Sequence, residues 1–373
     1  MQYRLKNAVL VVATLLAGIA GALLCVWLKT PLPWMIGPLL TIAALRMSGA
    51  PLRLPTPFRN TGQWIIGVTL GLYFTPVVAH EVLHYAPWVV ASVVFAMGMG
   101  ILGGRLLQRM AGIDSKTAFF AVAIGGSSEM AVQAERNGGR VDQVAAAHSL
   151  RILIVVVLIP ALFRLSGVHG TEDYTPGIGT FSVIGLAKLC AITLAIGWGL
   201  NRYKVPNAWV IGPLVFTIAL TASGVEWTTV PRWVSSVAQL LIGCALGIRF
   251  TREFFHSAPR FMASVAVSVL MLIGVMAMFG YVIAQFSDIP VPTAILAAAP
   301  GGIAEMSLTA QVLHFGVPVV TVFHVSRVLV MVLSVGPLYR LLKPWLERDM
   351  TPPAPPLAKV TLAEPAAELK QRG

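Results

Sequence analysis

Of 373 residues, 57% are hydrophobic and 11% charged, whereas soluble domains carry about 45–50% and about 25%. That balance excludes a water-soluble globular domain and describes a polytopic, all-α membrane protein. The formal charge of +12 comes from 27 Lys and Arg against 15 Asp and Glu. The basic residues fall in short groups between apolar runs, as in cytoplasmic loops, and form no nucleic-acid-binding face.

The first apolar run, residues 8–28, follows Arg4 and Lys6. About 20 residues span a bilayer and a signal-peptide core has about 7–15, so the run is read as the first transmembrane helix with its N-terminus inside. Further runs lie at 33–48, 62–79, 86–107, 117–134 and 144–165, then at 182–200, 208–223, 235–249, 260–285, 293–310 and 317–340. All are expected to be helical, because unpaired backbone cannot face lipid. Two are poor spans: 33–48 is short, and 117–134 carries Gly125, Gly126, Ser127, Ser128 and Glu129 at its middle. Cys25, Cys190 and Cys244 sit singly in apolar runs, without metal-site or disulfide spacing. Beyond Pro344 the chain turns polar, and Pro352-Pro353-Ala354-Pro355-Pro356 marks residues 346–373 as a disordered cytoplasmic tail.

The chain is internally duplicated. Gln63-Trp64-Ile65-Ile66-Gly67 recurs as Gln239-Leu240-Leu241-Ile242-Gly243, an offset of 176 (from 63 to 239). The same offset carries Gly125-Gly126 onto Gly301-Gly302, Glu129-Met130 onto Glu305-Met306, His148 onto His324 and Arg151 onto Arg327. Trp34-Met35-Ile36-Gly37-Pro38-Leu39 matches Trp209-Val210-Ile211-Gly212-Pro213-Leu214 at 175, one residue of gap. Residues 1–170 and 171–345 are therefore two repeats of one bundle. In the first, the loops after segments two (Arg46, Arg53, Arg59) and four (Arg105, Arg109, Lys116) are basic; in the second, those after segments one (Arg202, Lys204) and three (Arg249, Arg252, Arg260). That swap predicts two inverted repeats of about five transmembrane helices each, plus interrupted or re-entrant helices, with both termini cytoplasmic.

Gly-interrupted segments at matching places point to a transport site. Gly125, Gly126, Ser127, Ser128 and Glu129, with Gly301, Gly302 and Glu305, are candidate substrate- or ion-binding residues, because broken helices free N–H groups and an intramembrane carboxylate marks an ion or substrate path. The structural alternative is that each Glu neutralises Arg151 or Arg327 as a buried ion pair. His148 and Arg151, like His324 and Arg327, are three apart and share a helical face. The imidazoles are candidates for a proton relay or for a plain hydrogen bond to a carbonyl. Gln63 and Gln239 fit interhelical hydrogen bonds, and Trp34 and Trp209 fit interfacial anchors.

His80-Glu81-Val82-Leu83-His84 matches the H-E-x-x-H zinc pattern. Its counterpart in the second repeat keeps His256 but has Ser257 and Arg260 in place of the Glu and second His, and no third ligand is near. The match is taken as coincidence: no metal site, no cofactor and no enzyme are expected.

In combination, the duplicated Trp-x-x-Gly-Pro-Leu, Gly-Gly-x-x-Glu-Met and His-x-x-Arg elements resemble those of the AbrB family of bacterial multi-pass membrane proteins, over nearly all of residues 1–345. The resemblance implies the bacterial inner membrane. It also implies kinship with inverted-repeat cation/proton antiporters and anion transporters, whose broken helices cross. The family carries labels of gene regulation and of ammonia monooxygenase; no clustered copper or iron ligand set supports the second. The expected function is secondary transport of a small solute or ion at the repeat interface, where Glu129 and Glu305 take a coupling cation or proton and Arg151 and Arg327 balance charge or hold an anion. The alternative is a membrane-embedded regulator acting through a ligand or a cytoplasmic protein partner. An intramembrane metalloenzyme comes third. The expected partners are the solute and the lipid bilayer, not nucleic acid, and homo-oligomerisation stays open.

Overall fold

A computed structural model of the chain describes residues 2–168, 170, 181–251 and 259–346. The tail from 347, the start of the second repeat at 171–180, and Arg252 lie outside the described residues, as do the side chains of Arg4, Lys6 and Ser128. Among the described residues there are fifteen α-helices and no strand. The first repeat gives α1 (Gln2–Trp27), α2 (Pro33–Met47), α3 (Thr56–Gly71), α4 (Pro76–His84), α5 (Ala86–Ala111), α6 (Ser115–Val122), α7 (Ser127–Arg136) and α8 (Val141–Leu165). The second gives α9 (Val183–Arg202), α10 (Ala208–Ala222), α11 (Arg232–Gly247), α12 (Pro259–Phe286), α13 (Val291–Ala298), α14 (Ile303–Leu313) and α15 (Val317–Leu346).

Six helices are long and apolar enough to cross a membrane, three from each repeat: α1, α5 and α8, then α9, α12 and α15. Helices α2, α10 and α11 are shorter. The expected single segment at 62–79 is in fact two helices, since α4 turns by 92° from α3. Thr75 starts α4 by accepting from the Val78 N–H. The duplication is visible in the backbone itself. Left-handed conformations recur in register at Lys29 and Lys204, at Leu32 and Asn207, at Gly49 and Gly224, and at Gly138 and His314. Such a conformation costs a side-chain-bearing residue of the order of 1 kcal/mol, and both repeats keep it.

The interrupted segments are re-entrant hairpins. Helix α6 starts near Thr117 and ends at Val122; α7 starts past Gly126 and runs back, so that the Arg140 N–H reaches the Thr117 Oγ1 at 2.8 Å. In the second repeat, the Gly316 N–H reaches the Thr293 Oγ1 at 3.1 Å, at equivalent positions. Eight residues of helix rise about 12 Å, less than half of the ~30 Å hydrocarbon layer. Each hairpin therefore turns near mid-depth and leaves on the side it entered.

The two hairpins enter from opposite sides. Helix α8 begins beside the base of the first hairpin and ends at the base of the second, where Phe163 meets Phe315 (5.0 Å between centroids) and the Gly170 N–H donates to the Leu313 carbonyl. Helix α15 begins at the base of the second and ends at the first, where Tyr339 lies 5.3 Å from Phe119 and 5.0 Å from Phe120. Antiparallel α8 and α15 are what an inverted repeat requires. The base of the first hairpin carries Arg105, Arg109, Lys116, Arg136, Arg140, Arg260, Arg340 and Lys343, and the base of the second Arg164 and Asp288.

Candidate functional site

The hairpin tips meet in one cavity of about 440 Å³, within the ~300–1,000 Å³ typical of small-molecule sites. From the first tip come Gly125, Gly126, Ser127 and Glu129; from the second, Pro300, Gly301, Gly302 and Glu305. The remaining wall is built from the start of α3 (Thr56, Arg59, Asn60, Gln63), the α9–α10 connection (Asn201, Lys204 to Trp209) and the end of α11 (Ala245, Leu246, Arg249). Arg151 also lines it, whereas His148, His324 and Arg327 do not.

Each tip is held by one arginine. Arg151 donates to the carbonyls of Val122 (3.4 Å), Ala123 (3.0 Å) and Gly125 (3.2 Å). Arg327 repeats the set on Ala298 (3.4 Å), Ala299 (2.8 Å) and Gly301 (2.7 Å). These carbonyls belong to the C-terminal ends of α6 and α13 and the turns that follow, where no further helical N–H reaches them. A guanidinium suits both the orphan acceptors and the negative end of the helix dipole. The histidines act one turn earlier: His148 Nε2 bonds the Phe120 carbonyl (2.9 Å) and His324 Nε2 the Leu296 carbonyl (3.1 Å). Both imidazoles are fully buried. Of the two roles open to them, the geometry is that of the carbonyl bond. The Glu–Arg pair weighed as the architectural alternative is not formed, since both arginines point at carbonyls and neither glutamate enters an ion pair among the described residues.

The glutamates are placed by their helix starts. Gly126 and Gly302 are the N-cap residues of α7 and α14, so Glu129 and Glu305 are the third helical residues. A Cβ on Gly126 would collide with the Glu129 carboxylate, and one on Gly302 with that of Glu305. Each carboxylate thus folds back over its own helix N-terminus, in the manner of a capping box. Glycine at the cap makes the room.

Two lining arginines were not singled out by motif. Arg249 donates to the Ser127 Oγ at 3.3 Å, and Arg59 stands near Arg249 and Glu305 without an ion pair among the described residues. In sequence both read as loop charges. No sequence signal separates them: the 176 offset places Ser235 against Arg59 and Tyr73 against Arg249, but Arg46, Arg53, Arg105 and Arg109 lack cationic counterparts as well, as the swap of basic loops requires.

His80, Glu81 and His84 lie exposed on α4, away from the cavity. Among the described residues, no group of three or more His, Cys, Asp or Glu side chains is placed to hold a metal.

A family model described as "Transition state regulatory protein AbrB" matches residues 34–343. A Bacillus subtilis (strain 168) protein named "Uncharacterized protein YhjN" is 27% identical over 335 residues, covering 83% of this chain and 87% of the relative. An Escherichia coli (strain K12) protein named "Putative regulator AbrB" is 24% identical over 282 residues, covering 75% and 81%. No solved structure matches the chain significantly.

Proposed function

The chain belongs to the AbrB family, and from that premise and the geometry above we propose that it is a secondary transporter of a small solute or ion. The observation that carries this reading is the meeting of two oppositely entering hairpin tips, each with an intramembrane glutamate, in one polar cavity. An inverted pair of bundles has two equivalent ways of packing, one open to each side, which is the structural basis of alternating access. The cavity is lined by helix ends and loops that carry basic groups, so by the positive-inside rule this is the inward-open form. Glu129 and Glu305 would take the coupling cation or proton.

Metabolite profiling of cells with and without the protein identifies the solute without a guess. Its proton- or sodium-driven flux into proteoliposomes is then expected to fall at least tenfold in Glu129→Gln and in Glu305→Gln. Wild-type flux in both variants would remove the glutamates from the mechanism. The reading also places the chain in the bacterial inner membrane with both termini cytoplasmic. A membrane-impermeant thiol reagent should then reach Lys204→Cys only from the inside and His314→Cys only from the outside.

The family description and the name of the E. coli relative favour a second reading, membrane-embedded regulation. It predicts a cytoplasmic protein that co-purifies with the chain and no solute flux, so the same preparations separate the two.

A further inference from the structure

The cavity's charge is lopsided in a way the coupling glutamates do not explain. Four cationic side chains line it (Arg59, Arg151, Lys204 and Arg249), against two carboxylates. Arg151 is committed to the first hairpin's carbonyls, and both carboxylates fold over their own helix starts. Lys204 is exposed, which leaves Arg59 and Arg249 as the partly buried cations: two guanidiniums near enough to repel each other, on the same wall, with no ion pair to either among the described residues. Among the described residues, Arg249 donates to the neutral Ser127 hydroxyl. Glu305 is the one carboxylate near the two arginines, and it does not pair with either; holding like charges together in a half-buried site with one shared, unpaired carboxylate costs free energy that a bound anion would recover. Planar, forked guanidiniums suit a carboxylate or similar oxyanion. The lining also includes two amide side chains and an aromatic ring, Asn60, Asn207 and Trp209.

We infer that the cavity is an anion site, with Arg59 and Arg249 as its principal ligands and a small organic oxyanion as the substrate class. That the anion is a transported substrate rests on the transport reading above; that the cavity selects anions does not.

The test reads charge selectivity at the cavity wall and needs no flux. In a chain whose three native cysteines are alanine, Ala245→Cys is labelled with an anionic (sulfonate) and a cationic (trimethylammonium) methanethiosulfonate of similar size. With each rate divided by that reagent's rate with a small free thiol, the anionic reagent is expected to react roughly tenfold faster, the lower end of electrostatic focusing in clefts. Arg59→Gln with Arg249→Gln should bring the two rates within about twofold, while Arg202→Gln, at the exposed end of α9, leaves the ratio unchanged. In the native-cysteine protein, the fluorescence lost in Trp209→Phe should be quenched by iodide more strongly than by caesium, and this preference should vanish in the double arginine variant. Equal or cation-preferring rates, or a ratio indifferent to the two arginines, would overturn the inference even if flux of some solute were found. Anion selectivity without flux would leave the site standing and remove the transport reading.

Discussion

Arg327→Ala should leave little folded protein: a small monodisperse fraction after detergent extraction, melting well below the wild type. Arg327 is 1% exposed and is the donor for three carbonyls at the tip of the second hairpin. Its Nη2 also lies 2.6 Å from the His324 Nδ1. Alanine removes every one of those partners and opens a void the size of the largest fully buried side chain among the described residues. Each buried acceptor left unpaired costs about 1–3 kcal/mol, so the loss reaches several kcal/mol against a typical total of 5–15. Arg327→Lys keeps the charge but offers one ammonium where a fork is needed, and should fall between. Arg151→Ala should cost less, because its bonds are longer on the whole and its surroundings border the cavity. A Tm for Arg327→Ala within about 2 °C of the wild type, under ~1 kcal/mol at this size, would mean that the guanidinium does not hold the tip.

The sequence could reveal the duplication but not everything the duplication does. Motifs at a constant offset, a swap of basic loops and glycine pairs at mid-segment are all written in residue identity. They led to an all-α membrane bundle with its special residues at 125–129 and 301–305. Whether 117–134 crosses or turns back is not so written, because composition along a hairpin and along a broken span is the same. Only the return of Arg140 to Thr117 decides it. The 92° bend after α3 was hidden for a similar reason: Leu72, Tyr73 and Phe74 are as apolar as the helix they end. The glutamates were legible as intramembrane carboxylates, yet their position as third helical residues behind a glycine cap depends on where each half-helix starts. His148, His324, Arg151 and Arg327 were correctly grouped on helical faces. Their targets, backbone carbonyls on another element, carry no side-chain signature. Arg59 and Arg249 were hidden among loop charges, and their lack of a cationic counterpart does not set them apart, because the swap of basic loops leaves Arg46, Arg53, Arg105 and Arg109 without one too.

The second large effect concerns the crossings that join the repeats. Helix α11 crosses α2 so tightly that a Cβ on Gly243 would sit 2.5 Å from the Met35 carbonyl oxygen and 3.2 Å from the Pro38 Cβ. The reciprocal crossing, α3 on α10, puts a Cβ on Gly67 2.5 Å from the Val210 carbonyl oxygen and 3.2 Å from the Pro213 Cβ. Gly71 and Gly247 continue the contact one turn on, against Leu214 and Thr217 and against Leu39 and Ile42. In lipid no hydrophobic drive pulls helices together, so association rests on close packing of small residues. The obstacle to a methyl here is backbone, which cannot swing aside as a side-chain tip can. Gly67→Ala and Gly243→Ala should each destabilise by about 1–3 kcal/mol, equally because the environments are equivalent, and leucine at either position should prevent stable packing of the two repeats. The internal control is a second equivalent pair, Gly98 in α5 and Gly274 in α12, where a Cβ would meet nothing within 4 Å. Alanine there gains helix propensity of up to about 1 kcal/mol and should hold or raise the melting temperature. Thermal melts of the four single variants in one detergent suffice. If Gly243→Ala melted with Gly274→Ala, the tight crossing could not be what ties one repeat to the other.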